Sequence, residues 1–492
     1  MSKIKSAASV ILIRGSDEAP EVYLVRRAPE LKFFGGYWVF PGGNVSPLDR
    51  QCEDDAEELV LKRCAVRELL EETEALAATL GGEFSRERKQ ALQRQIKEAP
   101  EQWQDFLAQY GADLPLLTPL FRIITPPFFP VRFDTLFLCA RCPQDEIPGI
   151  DNYELVEGRF VKPQQVVAAW DRGEMEIAPP VLFLLRLLTT GGLDAFLTRS
   201  RQESERLAQG GLHPVYFSPG IFVAPLATPT LPPATTTNTL IAGTDKLYVI
   251  DPATPDATEQ QRLFDKMDAL IDAGATFEAI LLTHHHPDHV GAVNAVSQRY
   301  RLPLRAHAQT YHRIAPGYLQ GEPLADGDRL ELGTAPDGSG DWHLKVLHTP
   351  GHAVDHLCFI DSRYHAAIVG DMLSTLSTIV IDPPEGHMHT YLDSLNRLLD
   401  TPINVLYPAH GPPRGDGHSL IRRFLRHRQK REDAIKTALT DTPRSVDELL
   451  PEVYASLSTS AYPIAARSLL AGLIKLEEDG FCKQQDMGWV QE

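Results

Sequence analysis

The sequence has few cysteines, no long apolar run and no surplus of positive charge. Six cysteines are scattered along 492 residues, which argues against a disulfide framework and predicts a reducing, cytoplasmic location. No segment approaches the roughly eighteen apolar residues of a membrane span, and residues 1–20 lack the apolar core of a secretion signal. The net charge of −18 predicts repulsion from nucleic acid and anionic membranes unless a local basic patch intervenes.

The length and composition describe a globular protein of several domains. Apolar residues make up 43% of the chain and charged residues 23%, as in ordinary soluble proteins. A chain of 492 residues is too long for one hydrophobic core and predicts two to four domains. These features do not predict an oligomeric state.

A histidine-rich loop lies near the middle of the chain. The apolar run 279–282 predicts a buried strand, and His284, His286, Asp288 and His289 follow it within one short loop. Imidazole nitrogens and a carboxylate are ligands that suit zinc, iron or manganese. Packing alone does not explain such a density of these side chains at a strand end, so the loop predicts a metal site.

The same pattern, a strand followed by a metal-type residue, recurs three times downstream. Three later strand-like segments lead to His352, Asp371 and His410 in turn. Strand ends that meet at one edge of a sheet form the usual crevice for a site in α/β proteins. Alone, His352 would fit a turn and Asp371 a helix cap. Together with the histidine loop they predict one shared site.

The spacing His-x-His-x-Asp-His, with these downstream partners, resembles the metallo-β-lactamase superfamily over roughly residues 217–432. The resemblance implies an αββα sandwich with two Zn²⁺ ions, or iron or manganese in their place. It implies catalysis by a metal-bound hydroxide, with Asp288 accepting a proton from water. The ligands it implies are His284, His286 and His352 for one metal, Asp288, His289 and His410 for the other, and Asp371 bridging both.

Two other histidines of this region, His285 and His356, lie inside the cluster but outside the spacing pattern. They fit either a supporting role for the metal ligands or simple surface exposure.

A predicted helix near the start of the chain carries a cluster of carboxylates. The segment Glu57–Leu76 has helical periodicity, with apolar residues on one face and Glu68, Glu71 and Glu72 on the other. Like charges this close repel one another, and a divalent cation would compensate them. On the helix alone, a solvated acidic surface explains the cluster equally well.

With Phe40–Gly43 before it, the run Arg67–Glu72 resembles a Nudix box, and residues from about 5 to 190 resemble that family. The family implies an α/β/α sandwich that hydrolyses a nucleoside diphosphate linked to another group. By the same resemblance Glu68, Glu71 and Glu72 hold Mg²⁺ or Mn²⁺, and Glu71 is catalytic.

The sequence departs from the Nudix pattern in two places. Glu74 stands where the family has glycine, so we expect a different turn to close the helix. The longer segment before Arg67 leaves Glu57 or Glu58 as the nearest candidate for an upstream glutamate. Segments 124–128 and 132–135 resemble the coenzyme A diphosphatase-like branch, which implies coenzyme A or a nucleotide derivative as substrate. The alternative is a domain that senses such a ligand without cleaving it.

The C-terminal region begins with a basic helix over residues 415–437, which fits a solvated surface better than an RNA-binding one. The run His427-Arg428-x-x-Arg431-Glu432 resembles the lactamase-beta-2-like subgroup, whose members carry a C-terminal winged helix. The predicted domains are a Nudix-like domain (1–195), a linker (196–212), a metallo-β-lactamase-fold domain (213–432) and a winged-helix-like domain (433–492).

The predicted protein is therefore of the α/β (α+β) class, a cytoplasmic metal-dependent hydrolase with a small-molecule substrate and no membrane partner. The coenzyme A resemblance favours a thioester such as an acyl-CoA for the metallo-β-lactamase-fold domain. The alternative is an RNA phosphodiesterase (an endoribonuclease), against which the acidic net charge weighs. Glutathione thioesters and lactones stay open as substrates.

Overall fold

Strands and helices of the chain fall into two separate units. The computed structural model describes residues 4–80, 84–99, 102–110, 114, 116–150, 153–486 and 488–492. Backbone proximity divides the chain into Met1–Pro219 and Gly220–Glu492. Within the described residues, no helix has both the length and the apolar character needed to cross a membrane. The finer domain boundaries given above stay predictions.

The first unit is built around one mixed sheet. The strands of the unit are β1 (Lys5–Gly15), β2 (Pro20–Arg27), β3 (Trp38–Val39), β4 (Gly42–Asn44), β5 (Thr118–Ile124), β6 (Phe133–Arg141), β7 (Leu155–Val161) and β8 (Val215–Ser218). Its helices are α1 (Glu57–Thr73), α2 (Ala77–Leu80), α3 (Arg86–Glu98), α4 (Gln102–Tyr110), α5 (Pro163–Asp171), α6 (Pro179–Leu188) and α7 (Gly192–Ala208). The sheet order is β3-β2-β1-β6-β5, with β4 paired to β1 and β7 paired to β2, and β8 is not a strand of this sheet.

Strand β1 is apolar at nearly every central position because helices cover both faces of its sheet. Val10 and Leu12 belong to a core with α1, α3 and α4, whereas Ile11 and Ile13 belong to a core with α5, α6 and α7. Successive strand residues point to opposite faces, so this alternation requires two covering layers. The predicted α/β/α sandwich is confirmed.

Helix α1 begins at Glu57, as the periodicity predicts, and ends in a left-handed residue. Glu74 has φ +59° and ψ 11°, and its N–H donates to the carbonyl of Leu70 at 3.2 Å. The expectation of a different closing turn is wrong, because Glu74 adopts the conformation that glycine usually takes after a helix. For a residue with a Cβ atom this costs about 1–2 kcal/mol.

The segment predicted as a linker, 196–212, lies largely in α7. Phe196 is 1% exposed and packs in the core of the first unit, which a free linker would not do. Most of the polar stretch 198–211 lies on this helix, where exposed charged residues occur beside the buried Ser200. Its charged composition, which suggested a linker, is equally the pattern of a surface helix.

The second unit begins with two sheets. Its strands are β9 (Ile221–Ala227), β10 (Thr236–Gly243), β11 (Lys246–Ile250), β12 (Thr276–Leu281), β13 (Pro303–Arg305), β14 (Leu319–Gln320), β15 (Arg329–Gly333), β16 (Trp342–His348), β17 (Leu357–Asp361), β18 (Ala366–Gly370), β19 (Val405–Pro408), β20 (Arg414–Gly415), β21 (Cys482–Gln485) and β22 (Gly488–Gln491). Its helices are α8 (Ala257–Asp272), α9 (Pro287–Val290), α10 (Val293–Tyr300), α11 (Met388–Leu399), α12 (Gly417–Ala438), α13 (Val446–Val453) and α14 (Tyr462–Glu478).

The strands of this unit are ordered β14-β13-β12-β11-β10-β9 in one sheet and β15-β16-β17-β18-β19-β20 in the other. Helices α8 and α10 pack on the first sheet, and α11 and α12 pack on the second. The predicted αββα sandwich is confirmed. The ends of β11, β12, β16, β18 and β19 lead directly into the candidate metal ligands and their partners.

The C-terminal extension consists of α13, α14 and the β21–β22 hairpin. These elements share a core with the last turns of α12, in which Leu450, Leu469, Leu473 and Trp489 are buried. Ser445 caps α13 and forms a capping box with Glu448, which fixes where that helix starts. The predicted winged-helix arrangement of helices and a terminal hairpin is confirmed.

Candidate metal centre

Three histidine nitrogens meet beyond the end of β12. His284 Nε2 lies 3.0 Å from His286 Nδ1, and His352 Nε2 lies 3.1 Å from the same atom. The ligand atoms of these residues all lie within 4.8 Å of one another. We call His284, His286 and His352 set one. Three imidazoles converging on one point form a donor set typical of zinc and similar ions.

A second group of ligand atoms meets beside the first. Asp288, His289 and His410, which we call set two, also offer atoms within 4.8 Å of one another. His410 Nε2 lies 3.5 Å from Asp288 Oδ2. Asp288 and His289 come from the short helix α9, whereas His410 follows β19. The second sheet thus contributes a ligand to a group that starts on the first.

Asp371 lies between the two sets and faces both. Its Oδ2 is 3.6 Å from His352 Nε2 of set one. Its Oδ1 is 3.3 Å from His410 Nε2 and 3.7 Å from His289 Nε2 of set two. The structure therefore brings all seven residues of the predicted centre together, with one carboxylate oxygen directed at each set.

A buried aspartate that the sequence analysis did not select orients set two. Asp251 Oδ2 lies 2.9 Å from His289 Nδ1, so the Nε2 atom of that ring faces Asp371. Asp251 Oδ1 accepts from the Thr283 N–H at 2.7 Å, and Oδ2 accepts from its hydroxyl at 2.6 Å. A carboxylate behind a histidine ligand fixes its tautomer and ring orientation.

The C-terminal helices reach set one through the loop 379–381. His352 Nδ1 lies 2.9 Å from the carbonyl oxygen of Val380. The neighbouring carbonyl, that of Ile379, accepts from the Arg428 guanidinium of α12. The next N–H, that of Ile381, donates to Ser468 Oγ of α14 at 3.4 Å. Helices α12 and α14 therefore hold the peptide that orients His352.

His356 supports Asp371 from behind. The N–H of Asp371 donates to His356 Nε2 at 3.2 Å, and His356 Nδ1 lies 3.0 Å from Thr349 Oγ1. Gly370 must lack a side chain here, because a Cβ atom would lie 2.7 Å from His356 Nε2 and 2.8 Å from Thr283 Oγ1. His356 is fully buried, which decides against the exposed alternative.

His285 belongs to a different network at the mouth of the site. Its Nδ1 lies 2.9 Å from the buried Asp355 and its Nε2 lies 3.3 Å from Glu385. Glu385 also approaches His286 Nε2 at 4.0 Å. His285, His286 and Glu385 form another group of side chains that could hold a metal ion. However, the Nδ1 atom of His286 already faces the other two histidines of set one. We interpret the group as a hydrogen-bonded support for that ligand.

Burial and neighbouring charges shift the pKa values of the candidate ligands. Burial and the neighbouring imidazoles lower the pKa of His284 well below its usual value. Burial opposes protonation of His289 and His410, but nearby carboxylates, Asp251 for the first and Asp371 for the second, raise their pKa values to about 9 and about 11. Despite burial, His410 and His289 hold the pKa of Asp371 well below its usual value. The buried carboxylates of Asp251 and Asp371 are therefore stabilised by positive charge nearby.

The residues fit a pair of transition-metal ions. His289 Nε2 and Asp371 Oδ1 are buried without a hydrogen-bond partner among the described residues. A buried polar atom without a partner is costly, and a cation between the two sets would satisfy both atoms. A donor set rich in imidazole suits zinc, iron or manganese better than magnesium. The resemblance to metallo-β-lactamases implies divalent metal, and the arrangement of the seven candidate ligands agrees with this.

The centre opens into a cavity of about 830 Å³. Its floor includes His286, Asp288 and His352, and loops 229–234 and 377–385 form two sides. The remaining side comes from α12 to α14. Cavities of this size are typical of small-molecule sites.

The first unit holds the acidic helix residues around Arg67. Its guanidinium makes a two-pronged ion pair with the fully buried Asp49 at 2.9 Å and 2.9 Å. It also contacts Glu68 at 2.8 Å and Glu71 at 3.4 Å. Glu72 accepts from the N–H of Gly42 at 2.9 Å. Arg67 thus organises two of the three predicted glutamates, and the glycine turn holds the third.

Burial dominates the protonation of these carboxyls. It raises the pKa of Glu68 to about 7 against the opposing charge of Arg67. Burial and then Glu68 raise the pKa of Glu72 to about 8. Such carboxyls keep a proton near neutral pH unless a cation takes its place. Gly43 lies close beside them, and a Cβ atom there would lie 2.5 Å from the Glu68 carboxylate, which would have to move.

The glutamates are less well gathered than the histidine centre. Among the described residues, Glu68, Glu71 and Glu72 do not form a group of ligand atoms within 4.8 Å of one another. Glu57 and Glu58, the predicted upstream candidates, occupy the first turn of α1 in ion pairs with Arg122 and Lys62. The sequence analysis also missed Asp49, which no spacing pattern links to Arg67.

Comparisons with known proteins identify these units. The metallo-beta-lactamase superfamily model matches residues 231–410, the NUDIX domain model matches 3–178, and the beta-lactamase associated winged helix domain model matches 445–489. The chain therefore joins a NUDIX domain to a metallo-β-lactamase domain and its associated winged helix. The first two are families of metal-dependent hydrolases.

Several curated proteins are similar to part of the chain. The lactamase-like protein adaB of Aspergillus niger is 28% identical over 205 residues, which cover 41% of this chain and 58% of that protein. An atrochrysone carboxyl ACP thioesterase of Claviceps purpurea is 28% identical over 226 residues, covering 44% of this chain and 66% of that protein. The chain thus spans less than two thirds of either relative.

A solved structure is similar to part of the chain. A metallo-beta-lactamase family protein from Thermus thermophilus is 23% identical, covers 56% of this chain and 99% of its own, and superposes with a TM-score of 0.45.

Proposed function

We propose that the second unit hydrolyses an acyl thioester, such as an acyl-CoA, at a dinuclear metal centre. The observation that carries this proposal is the convergence of sets one and two on the two oxygens of Asp371. Set one would hold one ion, set two the other, and Asp371 would bridge them. A bound divalent metal would supply Lewis-acid polarisation of the substrate carbonyl and activation of a water molecule.

The protein's own residues supply position and proton transfer. Burial opposes the ionisation of Asp288, but His410 and His289 hold the pKa of this carboxyl below its usual value. Asp288 is therefore ionised near neutral pH, and its carboxylate can accept a proton from the attacking water. Asp251 and Val380 hold the rings of His289 and His352 in the orientation that the ions require.

The charges of the cavity favour a thioester over an RNA phosphodiester. Two arginines line its described wall, of which Arg428 is buried and only Arg467 is exposed. Arg428 donates to the Ile379 carbonyl and lies over the ring of Tyr391, whereas Arg467 pairs with Asp382 at 2.8 Å. RNA-binding sites use accessible cations for phosphates. The thioesterase names of relatives to this unit support the same choice.

The alternative function, an RNA phosphodiesterase, makes a different prediction. Purified full-length protein would be assayed with hexanoyl-CoA, followed by free thiol release, and with a labelled single-stranded RNA. We expect thiol release that is lost in Asp288→Asn and an intact RNA. RNA cleavage without thiol release, removed by the same substitution, would overturn the thioesterase proposal.

For the NUDIX domain we propose cleavage of a nucleotide diphosphate such as coenzyme A, with a cation held by Glu68, Glu71 and Glu72. The buried Arg67–Asp49 pair supports this proposal, because it fixes the helix face that carries the glutamates. We expect Mg²⁺- or Mn²⁺-dependent release of adenosine 3′,5′-bisphosphate from coenzyme A, lost in Glu71→Gln. No release, together with a melting temperature that rises on coenzyme A addition, would favour a ligand sensor.

A further inference from the structure

The cavity above the metal centre has an apolar side that neither the ligands nor the proposed chemistry requires. Leu457, which follows α13, and Ile464, on α14, belong to this side. Leu231 of the loop 229–234 and Ile379 also line the cavity. We call Leu231, Leu457 and Ile464 the apolar wall.

The exposure of this wall is unusual for side chains of its size. Leu231 is 54% exposed and Leu457 is 38% exposed. A single exposed leucine needs no explanation, but large apolar residues grouped at a binding cavity mark a contact site. Because they share one cavity with His286, Asp288 and His352, a single ligand can touch both the wall and the metal centre.

The charged groups nearby do not change this apolar character. Arg467 and Asp382 neutralise each other at 2.8 Å, and Arg428 is 7% exposed with its guanidinium turned to the Ile379 carbonyl. Polar lining residues such as Ser377 and Thr378 belong to the loop 377–385 and not to the apolar wall. Glu385, at another side, is held by His285 and Arg313.

We propose that the apolar wall is the acyl-chain subsite of the second unit, so that the winged-helix extension selects substrates with a long aliphatic chain. The inference rests on the proposed thioesterase function. The scissile carbonyl lies at the metal centre, and the chain extends from it across Leu457 and Ile464. Each methylene buried against the wall strengthens binding roughly fourfold, so the preference grows with chain length.

The test compares Leu457→Asp and Ile464→Asp with the parent on acetyl-, hexanoyl- and dodecanoyl-CoA. We expect kcat/KM for dodecanoyl-CoA to fall roughly tenfold or more, mostly through KM, because the introduced carboxylate removes the apolar contact with about two methylenes. We expect acetyl-CoA, which has a single methyl group beyond the carbonyl, to keep its kcat/KM within about twofold. The matched control is Ile271→Asp on α8, where the side chain is 41% exposed and lies outside the cavity lining.

A binding measurement separates failure of this inference from failure of the thioesterase proposal. Dodecanoate, the product acid, would be titrated calorimetrically into the metal-loaded full-length protein and its variants. Tight binding that Leu457→Asp weakens roughly tenfold supports the subsite even if no thioester is cleaved. Equal dodecanoate binding by the parent, Leu457→Asp and Ile464→Asp, or an equal loss of acetyl- and dodecanoyl-CoA hydrolysis, would overturn the subsite.

Discussion

Asp251→Ala tests how much the metal centre depends on a residue that touches neither substrate nor metal. Asp251 is 3% exposed and accepts from the Thr283 N–H, the Thr283 hydroxyl and His289. Alanine leaves these buried groups without their acceptor. Each unsatisfied group costs about 1–3 kcal/mol, and water entering the space offsets part of this. We expect the free energy of unfolding to fall by about 3 kcal/mol.

The same substitution should weaken metal binding at set two specifically. Removing the carboxylate behind a histidine ligand lowers metal affinity about 10- to 100-fold, which is about 1.4–2.7 kcal/mol. Zinc competition with a chromophoric chelator measures this affinity, and a urea titration measures stability. We expect one of two ions to be lost at low chelator concentration, while the ion at set one stays.

Asp256→Ala is the matched control for this prediction. Asp256 is exposed and caps α8 by accepting from the Glu259 N–H at 3.0 Å. Its loss should cost about 1 kcal/mol of stability and leave both metal affinities unchanged. Two ions bound to Asp251→Ala with parental affinity would refute the reasoning, because the carboxylate would then have no part in holding His289.

Three further predictions concern other parts of the chain. Arg428→Gln should release the loop 379–381 and lower zinc affinity at set one about tenfold. The control Arg423→Gln, on the exposed face of α12, should leave this affinity unchanged, and the chelator competition distinguishes the two variants. Glu74→Gly should raise the free energy of unfolding by about 1 kcal/mol in a urea titration, because glycine adopts φ +59° without strain; an unchanged or lower value would contradict this. Glu72→Gln should raise the melting temperature of the metal-free protein, measured in the presence of a chelator, because it removes a buried carboxyl. The variant should show no further rise in melting temperature when Mn²⁺ is added. A rise with Mn²⁺ equal to that of the parent would exclude Glu72 as a ligand.

The metal-type residues could be predicted because their spacing reflects local chain geometry. His284, His286, Asp288 and His289 lie within a span of six positions shortly after one strand, and the later candidates follow strand ends in the same way. The strand ends carry these residues to one edge of the sandwich, from β12 in the first sheet and from β16, β18 and β19 in the second. This explains why the seven residues were selected together and why the structure brings them together.

The contacts of the residues that support the ligands could not be predicted, because they depend on strand register. β11 and β12 pair in parallel with Ile250 opposite Leu281, and this register alone carries Asp251 to Thr283, 32 positions away. Asp251 also follows a strand, as the ligands do, so the strand-end pattern was a usable signal. Arg428 gives no such signal, since a basic helix predicts a solvated face as readily as a buried contact.

The turn after α1 shows a different limit of sequence reasoning. Glutamate in place of glycine predicts a change of backbone, but Glu74 accepts a left-handed conformation instead. The surrounding packing of α1, in which Leu69 and Leu70 are buried, outweighs a local cost of about 1–2 kcal/mol. Tertiary contacts thus overrode a residue preference.

The dinuclear centre is tested most directly by the metal content of the purified full-length protein, measured by mass spectrometry beside Asp371→Ala. Asp371 faces both sets, so its removal should disturb both sites at once. We predict about two transition-metal ions per chain in the parent and a large loss in the variant. A parent without transition metal, or a variant that keeps both ions, would contradict the account of this site.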